Sequence, residues 1–378
     1  MALRLETQRK ILVVGLAVAA IVCAWLLEAT KTFRAVPGHD QKRAAVETAQ
    51  RGYDVLRDYY RKDLGRTIDV RNDPAGTGLI GPRNTAIQNA AGNMAAKRTS
   101  INPNLAAVIV DYFQQIGLER GDRVAVGLTG SYPGTNVALY AAMKAMGLQP
   151  VIVTAVGSSG WGATDPEFTW LDMERVLAER DVFAFRSAAA SPGGGDDMGG
   201  SKSAEEKEQI WAAIARNQVA ELRSRSLDEA IDKRMQIYFG AAQGQPIKAY
   251  VNVGGSSASL GFNLEDVALR SGLHRDLASQ PINWPRQGPM IQIAKRGAPV
   301  IHLGALQAIA TEYGLAVAPQ TMPQIGEGTG LGRQGYNLTI VALVCLFYVL
   351  LTLSLTLPSW RRVVLRQQAA PAAPAAQA

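Results

Sequence analysis

Cysteine is nearly absent from this chain of 378 residues, and its two copies, Cys23 and Cys345, both lie inside long apolar segments. The region between those segments therefore cannot form disulfides and must be stabilised by an ordinary hydrophobic core. A region of about 300 residues is long enough to build such a core. The same scarcity excludes a CxxC metal or redox site.

The glycine-rich signatures of nucleotide-binding proteins are also missing. Neither G-x-G-x-x-G nor G-x-x-x-x-G-K-[ST] follows a predicted strand, and Gly127–Ser131 matches neither pattern. Asp196 and Asp197 lie in a glycine-rich loop, but the D-x-[DN]-x-[DN]-G series of calcium loops does not occur. We therefore expect no nucleotide, no metal and no other cofactor.

Excess positive charge is confined to the two ends of the chain. The formal net charge is +7, but the tails alone hold six lysines and arginines against a single acid, Glu6. The remainder of the chain is close to neutral, so the basicity indicates membrane topology rather than a surface for a polyanion. No nucleic-acid partner is expected.

Two uncharged apolar segments, Ile11–Leu27 and Leu338–Leu357, are long enough to cross a bilayer. The first has no small-x-small cleavage site after its apolar core, which favours a retained anchor over a cleaved signal peptide. Basic residues precede the first segment and follow the second, so both ends are predicted to remain in the cytoplasm. These residues are Arg4, Arg9, Lys10, Arg361, Arg362 and Arg366.

The predicted organisation is that of a two-pass protein of the cell membrane, with the lipid bilayer as one partner. We assign residues 1–10 to a cytoplasmic N-terminus, 11–27 to a transmembrane helix and 28–337 to an extracytoplasmic α/β domain. Residues 338–357 form the second transmembrane helix, and residues 358–378 form a cytoplasmic tail.

The central region reads as a βαβ unit between Arg123 and Met173. Val124–Leu128 and Val151–Val156 are short apolar strands, and Asn136–Met146 is a helix closed by Gly147. A parallel strand pair needs such a crossover, and open α/β sheets bind ligands beyond the carboxyl ends of their strands. We therefore expect the loops 129–135 and 157–165 to lie side by side.

Further helices alternate with short strands along the rest of the region. The predicted helices are Gln41–Leu64, Leu105–Ile116, Phe168–Arg180, Ala204–Arg216, Leu227–Phe239 and Ala305–Tyr313. The predicted strands are Val182–Arg186, Lys248–Val253, Pro299–Leu303 and a short edge strand, Leu315–Ala318. This alternation predicts one α/β domain with a mainly parallel sheet and flanking helices.

Small polar residues follow four of the predicted strands, where backbone N–H groups can approach a carboxylate or phosphate. An alternative interpretation is that these loops are tight turns, which use Gly for positive φ and Ser or Thr for capping. The candidate substrate-binding residues are Thr129, Gly130, Ser131, Ser158, Ser159, Trp161, Gly254, Gly255, Ser256 and Arg186.

A serine hydrolase would need a nucleophile, a base and an orienting carboxylate. Of the three histidines, His302 is the one at a predicted strand end, although a structural histidine gives the same pattern. The candidate nucleophiles are Ser131, Ser159 and Ser256, and the candidate orienting carboxylates are Asp165 and Asp172.

Several long strings resemble the poly-γ-glutamate system protein family, and the resemblance covers the region between the spans together with both spans. The strings are Thr129–Pro133, Ser158–Thr164, Thr169–Met173, Ser187–Ser191, Asn252–Gly255, Pro299–Leu303 and Ile325–Gly328.

The resemblance implies a role beside the membrane machinery that makes and exports poly-γ-glutamate. That machinery comprises an ATP-dependent ligase on the cytoplasmic side and a small multi-span membrane partner. The leading hypothesis is an accessory protein whose outer domain binds or guides the polymer, locally, through helix N-termini and residues such as Arg98 or Arg186. The alternatives are a serine-dependent amidohydrolase or transferase that trims or attaches the polymer, and a scaffold without a site.

Overall fold

The computed structural model describes residues 2–262, 269–284 and 286–368, with side chains from Lys10 to Leu355 outside those gaps. The described helices are α1 Ala2–Ala29, α2 His39–Asp58, α3 Met94–Ser100, α4 Leu105–Gln115, α5 Pro133–Met146, α6 Trp170–Glu179, α7 Ala204–Arg216, α8 Leu227–Ala241, α9 Ser257–Leu260, α10 Pro289–Ala294, α11 Leu306–Glu312 and α12 Leu338–Gln368. A π-helical turn, Tyr59–Asp63, extends α2. The strands are β1 Thr32–Ala35, β2 Gln88–Ala90, β3 Arg123–Thr129, β4 Gln149–Ala155, β5 Ser158–Ser159, β6 Ala189–Ser191, β7 Ala220–Glu221, β8 Ile247–Val253, β9 Gly272–His274, β10 Val300–Leu303 and β11 Gly332–Gly335.

The chain separates into two compact units, one formed by its two ends and the other by Val36–Gly332. In the first unit, β1 pairs with β11, and the Tyr348 hydroxyl donates to the Leu16 carbonyl at 3.3 Å. Segments Lys10–Ala29 and Leu338–Leu355 are long and apolar enough to cross a membrane. Their apolar side chains are largely exposed, as at Trp25 and Phe347.

The second unit is built on a seven-stranded sheet in the order β7-β6-β4-β3-β8-β10-β9. All neighbouring pairs are parallel except β9 with β10, which are antiparallel. The central strand β3 pairs with β4 from Arg123↔Gln149 to Thr129↔Ala155, so these two strands end together. The predicted α/β class with a mainly parallel sheet is confirmed.

Helices cover both faces of this sheet, because alternate residues of each strand point to opposite sides. On β3, Val126 packs into the core formed by α2, α4, α5 and α6, whereas Ala125 packs into the core formed by α8, α9 and α10. The central strands are buried on both faces and are therefore continuously apolar, as is typical of parallel sheets.

Local capping fixes where several of these helices begin. Ser203 caps α7 as the first residue of a capping box that Glu206 completes. The Ser226 hydroxyl likewise caps α8, but its partner Glu229 accepts from the Arg225 N–H instead of closing the box. An additional capping box, Thr169 with Asp172, starts α6. These caps satisfy N–H groups that the helix itself leaves unbonded.

Two predicted strands are wrong. The segment 182–186 is not a strand, because Val182 and Phe183 pack into the helical core and the Val182 carbonyl accepts from Lys144 at 2.6 Å. The pairing with β4 is made instead by β6, for which the sequence analysis predicts no strand. The segment 315–318 is also not a strand, and the antiparallel edge is formed by β9, which the sequence pattern did not indicate.

A buried ion pair links the loop after β6 to α8. Arg234 and Asp197 are both fully buried, and the Arg234 Nη2 group lies 2.9 Å from Asp197 Oδ2. The Ser191 hydroxyl donates to Asp197 Oδ1 at 2.8 Å and accepts from Arg234 at 2.7 Å. Removing one partner of such a pair leaves a charge without compensation in a medium of low dielectric constant.

We predict that Arg234→Met lowers the free energy of unfolding by about 3–5 kcal/mol, because it leaves the Asp197 carboxylate buried without a counter-ion. Adding Asp197→Asn should recover a large part of that loss, since Asn tolerates the positive φ of this position, 64°. Chemical denaturation of both variants measures the difference. Equal losses in the single and double variants would contradict the interpretation, and exposed Arg43→Met serves as the control.

Candidate functional site

The loops that follow β3 and β4 lie side by side at the carboxyl edge of the sheet, as the βαβ unit predicts. The backbone N–H of Ser159 donates to Ser131 Oγ at 3.1 Å, and the Ala163 N–H donates to the Gly130 carbonyl at 2.7 Å. Both serines are partly exposed. Ser131 and Ser159, proposed separately as nucleophiles, therefore belong to one cluster.

A short two-stranded sheet lies beside these loops. Strand β2 pairs in parallel with β5, which places Gln88 opposite Ser158 and Ala90 opposite Ser159. The Ser158 hydroxyl is buried, and its one proton is shared between the backbone carbonyls of Gly130 and Ser159, which lie 3.0 and 2.8 Å away. Ser158 thus fixes the relative position of the two loops.

Lys97 of α3 enters this cluster from the other side. Its side chain is 1% exposed, and its Nζ lies 2.7 Å from Ser159 Oγ and 3.4 Å from the Ser159 carbonyl oxygen. The same ammonium donates to the Ser131 carbonyl and lies 4.7 Å from the centre of the Tyr132 ring. One amine therefore contacts both strand-end loops.

The environment of Lys97 offers no carboxylate to balance its charge among the described residues that bond to it. Burial disfavours the charged form of an amine, and it lowers the pKa of Lys97 from 10.5 to about 7. At neutral pH a substantial fraction of this amine is therefore neutral and able to accept a proton.

Lys97 was missed by the sequence analysis. It lies in the segment Asn93–Ser100, between small residues and after a helix cap provided by Asn93. The one signal available was a lysine flanked by Ala95 and Ala96 on one side and by Arg98 on the other. Such a pattern is common on solvent-exposed helices, so it does not identify a buried amine.

The turn after Ser159 is conformationally unusual. Trp161 has a φ of 65°, in the left-handed region that bulky residues rarely adopt. Its ring is partly exposed, and the Arg83 guanidinium lies 5.1 Å from the ring centre. The next residue must be glycine, because a Cβ at Gly162 would lie 2.2 Å from Ser158 Oγ. Close packing therefore holds Trp161 at the edge of the serine cluster.

His302 is not arranged as the base of a serine triad. It is 1% exposed, and its Nδ1 lies 3.1 Å from Asn252 Nδ2. That Asn252 amide also donates to the Gly254 carbonyl at 2.7 Å, which orients its NH₂ group toward both acceptors. Nδ1 of His302 therefore accepts, and the ring proton resides on Nε2, where a base for serine would need a free lone pair. Burial lowers the pKa of His302 to about 4, so the ring is neutral.

The third proposed nucleophile, Ser256, follows β8. Within the described ranges it makes no hydrogen bond to Ser131 or Ser159. Its hydroxyl is buried and has no partner among the described residues. Gly254 has a φ of 86°, and a Cβ there would lie 2.4 Å from Thr129 Oγ1. Gly255 is exposed. The loop after β8 therefore packs against the end of β3 as a tight turn.

The proposed carboxylates and Arg186 have structural partners. Asp165 lies 3.6 Å from Arg66, and Asp172 caps α6 while Arg216 donates to it at 2.6 Å. Arg186 donates to the Asn217 carbonyl at 2.7 Å. Across the described part of the chain, no hydrogen bond joins His302 to either carboxylate or to any of the three serines. The histidine-based triad is therefore not assembled.

No group of three or more His, Cys, Asp or Glu side chains that could hold a metal ion occurs in the ranges that the structure describes. Comparison with protein-family models, with curated proteins and with solved structures finds no match to this chain. The geometry of the site joins a buried amine, Lys97, to the hydroxyl of a partly exposed residue, Ser159.

The lowered pKa of Lys97 predicts a pH dependence of stability. Between pH 7 and pH 10.5 the native state binds fewer protons at this amine than the unfolded chain does, so this group makes stability rise with pH, by at most about 1.4 kcal/mol per pH unit. Below pH 7 the amine is charged in both states, so the full free-energy cost of burying the charged amine is present. Lys97→Met should abolish this rise.

Denaturant unfolding of the full chain in mild detergent, at several pH values, measures the effect. Lys62→Met, which removes an exposed lysine, is the control and should follow the wild-type profile. A wild-type profile parallel to that of Lys97→Met would show that Lys97 keeps an ordinary pKa.

Proposed function

We propose that this chain is a membrane-anchored accessory protein of poly-γ-glutamate synthesis or export, and that its α/β unit binds or guides the polymer. The proposal starts from the resemblance of the strand-end strings and from the two apolar terminal helices. Its expected partners are the polymer, the ligase that makes it and the ligase's multi-span membrane partner.

The observation that carries the proposal is a set of three cations, two beside the β2–β5 sheet and one on α3, that form no ion pair within the described ranges. Arg83 contacts the Trp161 ring, Lys202 donates to the Gln88 carbonyl at 2.6 Å, and Arg98 donates to the carbonyls of Asn72 and Arg71. Within the described ranges none of the three forms an ion pair. A polycarboxylate would supply the missing negative charge.

The near-neutral charge of the unit makes this local arrangement important. A polymer with one carboxylate per residue is not attracted by the molecule as a whole, so its affinity must come from contacts with a few cations. The cations lie on the segments that border the strand-end loops, and the exposed part of Trp161 adds an apolar surface beside them. An extended chain could therefore lie across the carboxyl edge of the sheet.

Polymer binding is tested with the full chain in nanodiscs of neutral lipid and fluorescently labelled poly-γ-glutamate. Arg83→Gln should weaken binding by about two- to fivefold, the typical value of one exposed ion pair, and added salt should weaken it further. Arg120→Gln removes an exposed arginine that precedes β3, at the opposite end of the strand, and should leave affinity unchanged.

Failure of the wild-type chain to bind the polymer would refute the proposal. Equal losses for Arg83→Gln and Arg120→Gln would show that binding, although real, does not use the carboxyl edge of the sheet. A variant carrying Arg83→Gln and Lys202→Gln together should lose more than either change alone.

The same proposal places the α/β unit outside the cytoplasm, with both chain ends inside. In a Cys23→Ser, Cys345→Ser background, a cysteine at exposed position 208 (Glu208→Cys) should react with a membrane-impermeant maleimide in spheroplasts. Ala373→Cys, in the C-terminal tail, should react only after the membrane is permeabilised. The opposite pattern would place the unit in the cytoplasm.

A further inference from the structure

We propose that Ser159 and Lys97 form a catalytic pair in which the Ser159 hydroxyl attacks the carbonyl carbon of a carboxamide and the Lys97 amine acts as the general base. The assignment of a γ-glutamyl amide as the substrate rests on the function proposed above. The pair itself rests on geometry alone.

Three features of the geometry support a nucleophile at Ser159. Its Oγ lies 2.7 Å from Lys97 Nζ, within the distance at which a proton passes between base and nucleophile. The residue is partly exposed, so a substrate can reach it. It also lies at the carboxyl end of the parallel sheet, where α/β proteins bind their ligands.

The surroundings of Lys97 favour the neutral amine, which is the form that can act as a base. The amine is buried beside the Tyr132 ring, and its bonding partners are carbonyl and hydroxyl oxygens, none of which carries a charge. The contact with Ser159 serves both protonation states, since the charged amine donates to Oγ and the neutral amine accepts the hydroxyl proton.

Ser131 is placed to assist the pair. Its Oγ accepts the Ser159 N–H at 3.1 Å, and its own proton has no acceptor among the described residues. That proton is available to an oxygen that becomes negative near Ser159. Ser131 is therefore assigned as a positioning residue and hydrogen-bond donor, and not as the nucleophile.

The reaction balances with water as the second reactant. The neutral amine of Lys97 takes the hydroxyl proton as Ser159 Oγ bonds to the carbonyl carbon, and the resulting ammonium gives that proton to the departing nitrogen as the C–N bond breaks. Water then attacks the acyl ester, Lys97 takes a proton from it, and the C–O bond to Ser159 breaks. The proton returns to Oγ, which leaves a carboxylic acid and an amine.

The test uses the full chain in nanodiscs with a fluorophosphonate probe, which forms an O–P bond with an activated serine and releases fluoride. Mass spectrometry should place the label on Ser159, and Ser159→Ala should abolish it. The labelling rate should rise with pH and level off above about pH 7, as Lys97 becomes neutral. Loss of the base in Lys97→Met should slow labelling about 10²- to 10⁴-fold.

Lys144→Met is the matched control, because it also removes a lysine whose amine donates to a backbone carbonyl, that of Val182 at 2.6 Å, and it lies in the last turn of α5. It should label at the wild-type rate. Should Lys97→Met fail to fold, the pH profile of wild-type labelling and the loss of labelling in Ser159→Ala still test the catalytic pair. An unlabelled Ser159, or labelling independent of pH, would overturn the pair.

Parallel incubation with poly-γ-glutamate separates this proposal from the function on which it draws. Polymer that is shortened by the wild type and left intact by Ser159→Ala supports both the catalytic pair and the proposed function. Binding without labelling overturns the catalytic pair and leaves the accessory role in place. Labelling without binding supports the pair and refutes the polymer as its substrate.

Discussion

The parallel pairing of β3 with β4 is the constraint on which the rest of this structure depends. The two strands are in register from their first residues to their last, so their loops must leave the sheet at the same edge. The crossover helix α5, closed by Gly147 in the left-handed conformation, makes this pairing possible. All contacts between Ser131 and Ser159 follow from it.

Lys97 adds a chemical element that the sheet alone does not supply. Burying an amine without a carboxylate is unfavourable, and the fold tolerates it because the strand-end loops present the carbonyl oxygens of Ser131 and Ser159 and the Ser159 hydroxyl to the amine. The charged state is therefore balanced only by dipoles. This leaves the protonation equilibrium of Lys97 sensitive to small changes at Ser159, such as the arrival of a substrate.

The histidines show why a pattern of residue types is an incomplete guide to a site. His302 ends an apolar strand, as a base would, but the Asn252 side chain on the neighbouring strand donates to its Nδ1 and so fixes its tautomer. Asp172 similarly serves a helix cap and Arg216. The position of His302 along the chain was predicted correctly, whereas its partners depended on side chains from other elements.

The sequence by itself determined the long helices, the buried strands β3, β4, β8 and β10, and the mainly parallel sheet, whereas the strands it predicted at 182–186 and 315–318 are wrong. These properties follow from hydrophobic period, caps and glycines, all of which act over a few residues. It failed at β6 and β9, where only pairing with a neighbour makes an extended segment a strand. The tertiary structure alone decided that Lys97 meets Ser159, because the two are 62 residues apart in the chain. The sequence around Lys97 and the sequence around Ser159 do not predict that contact.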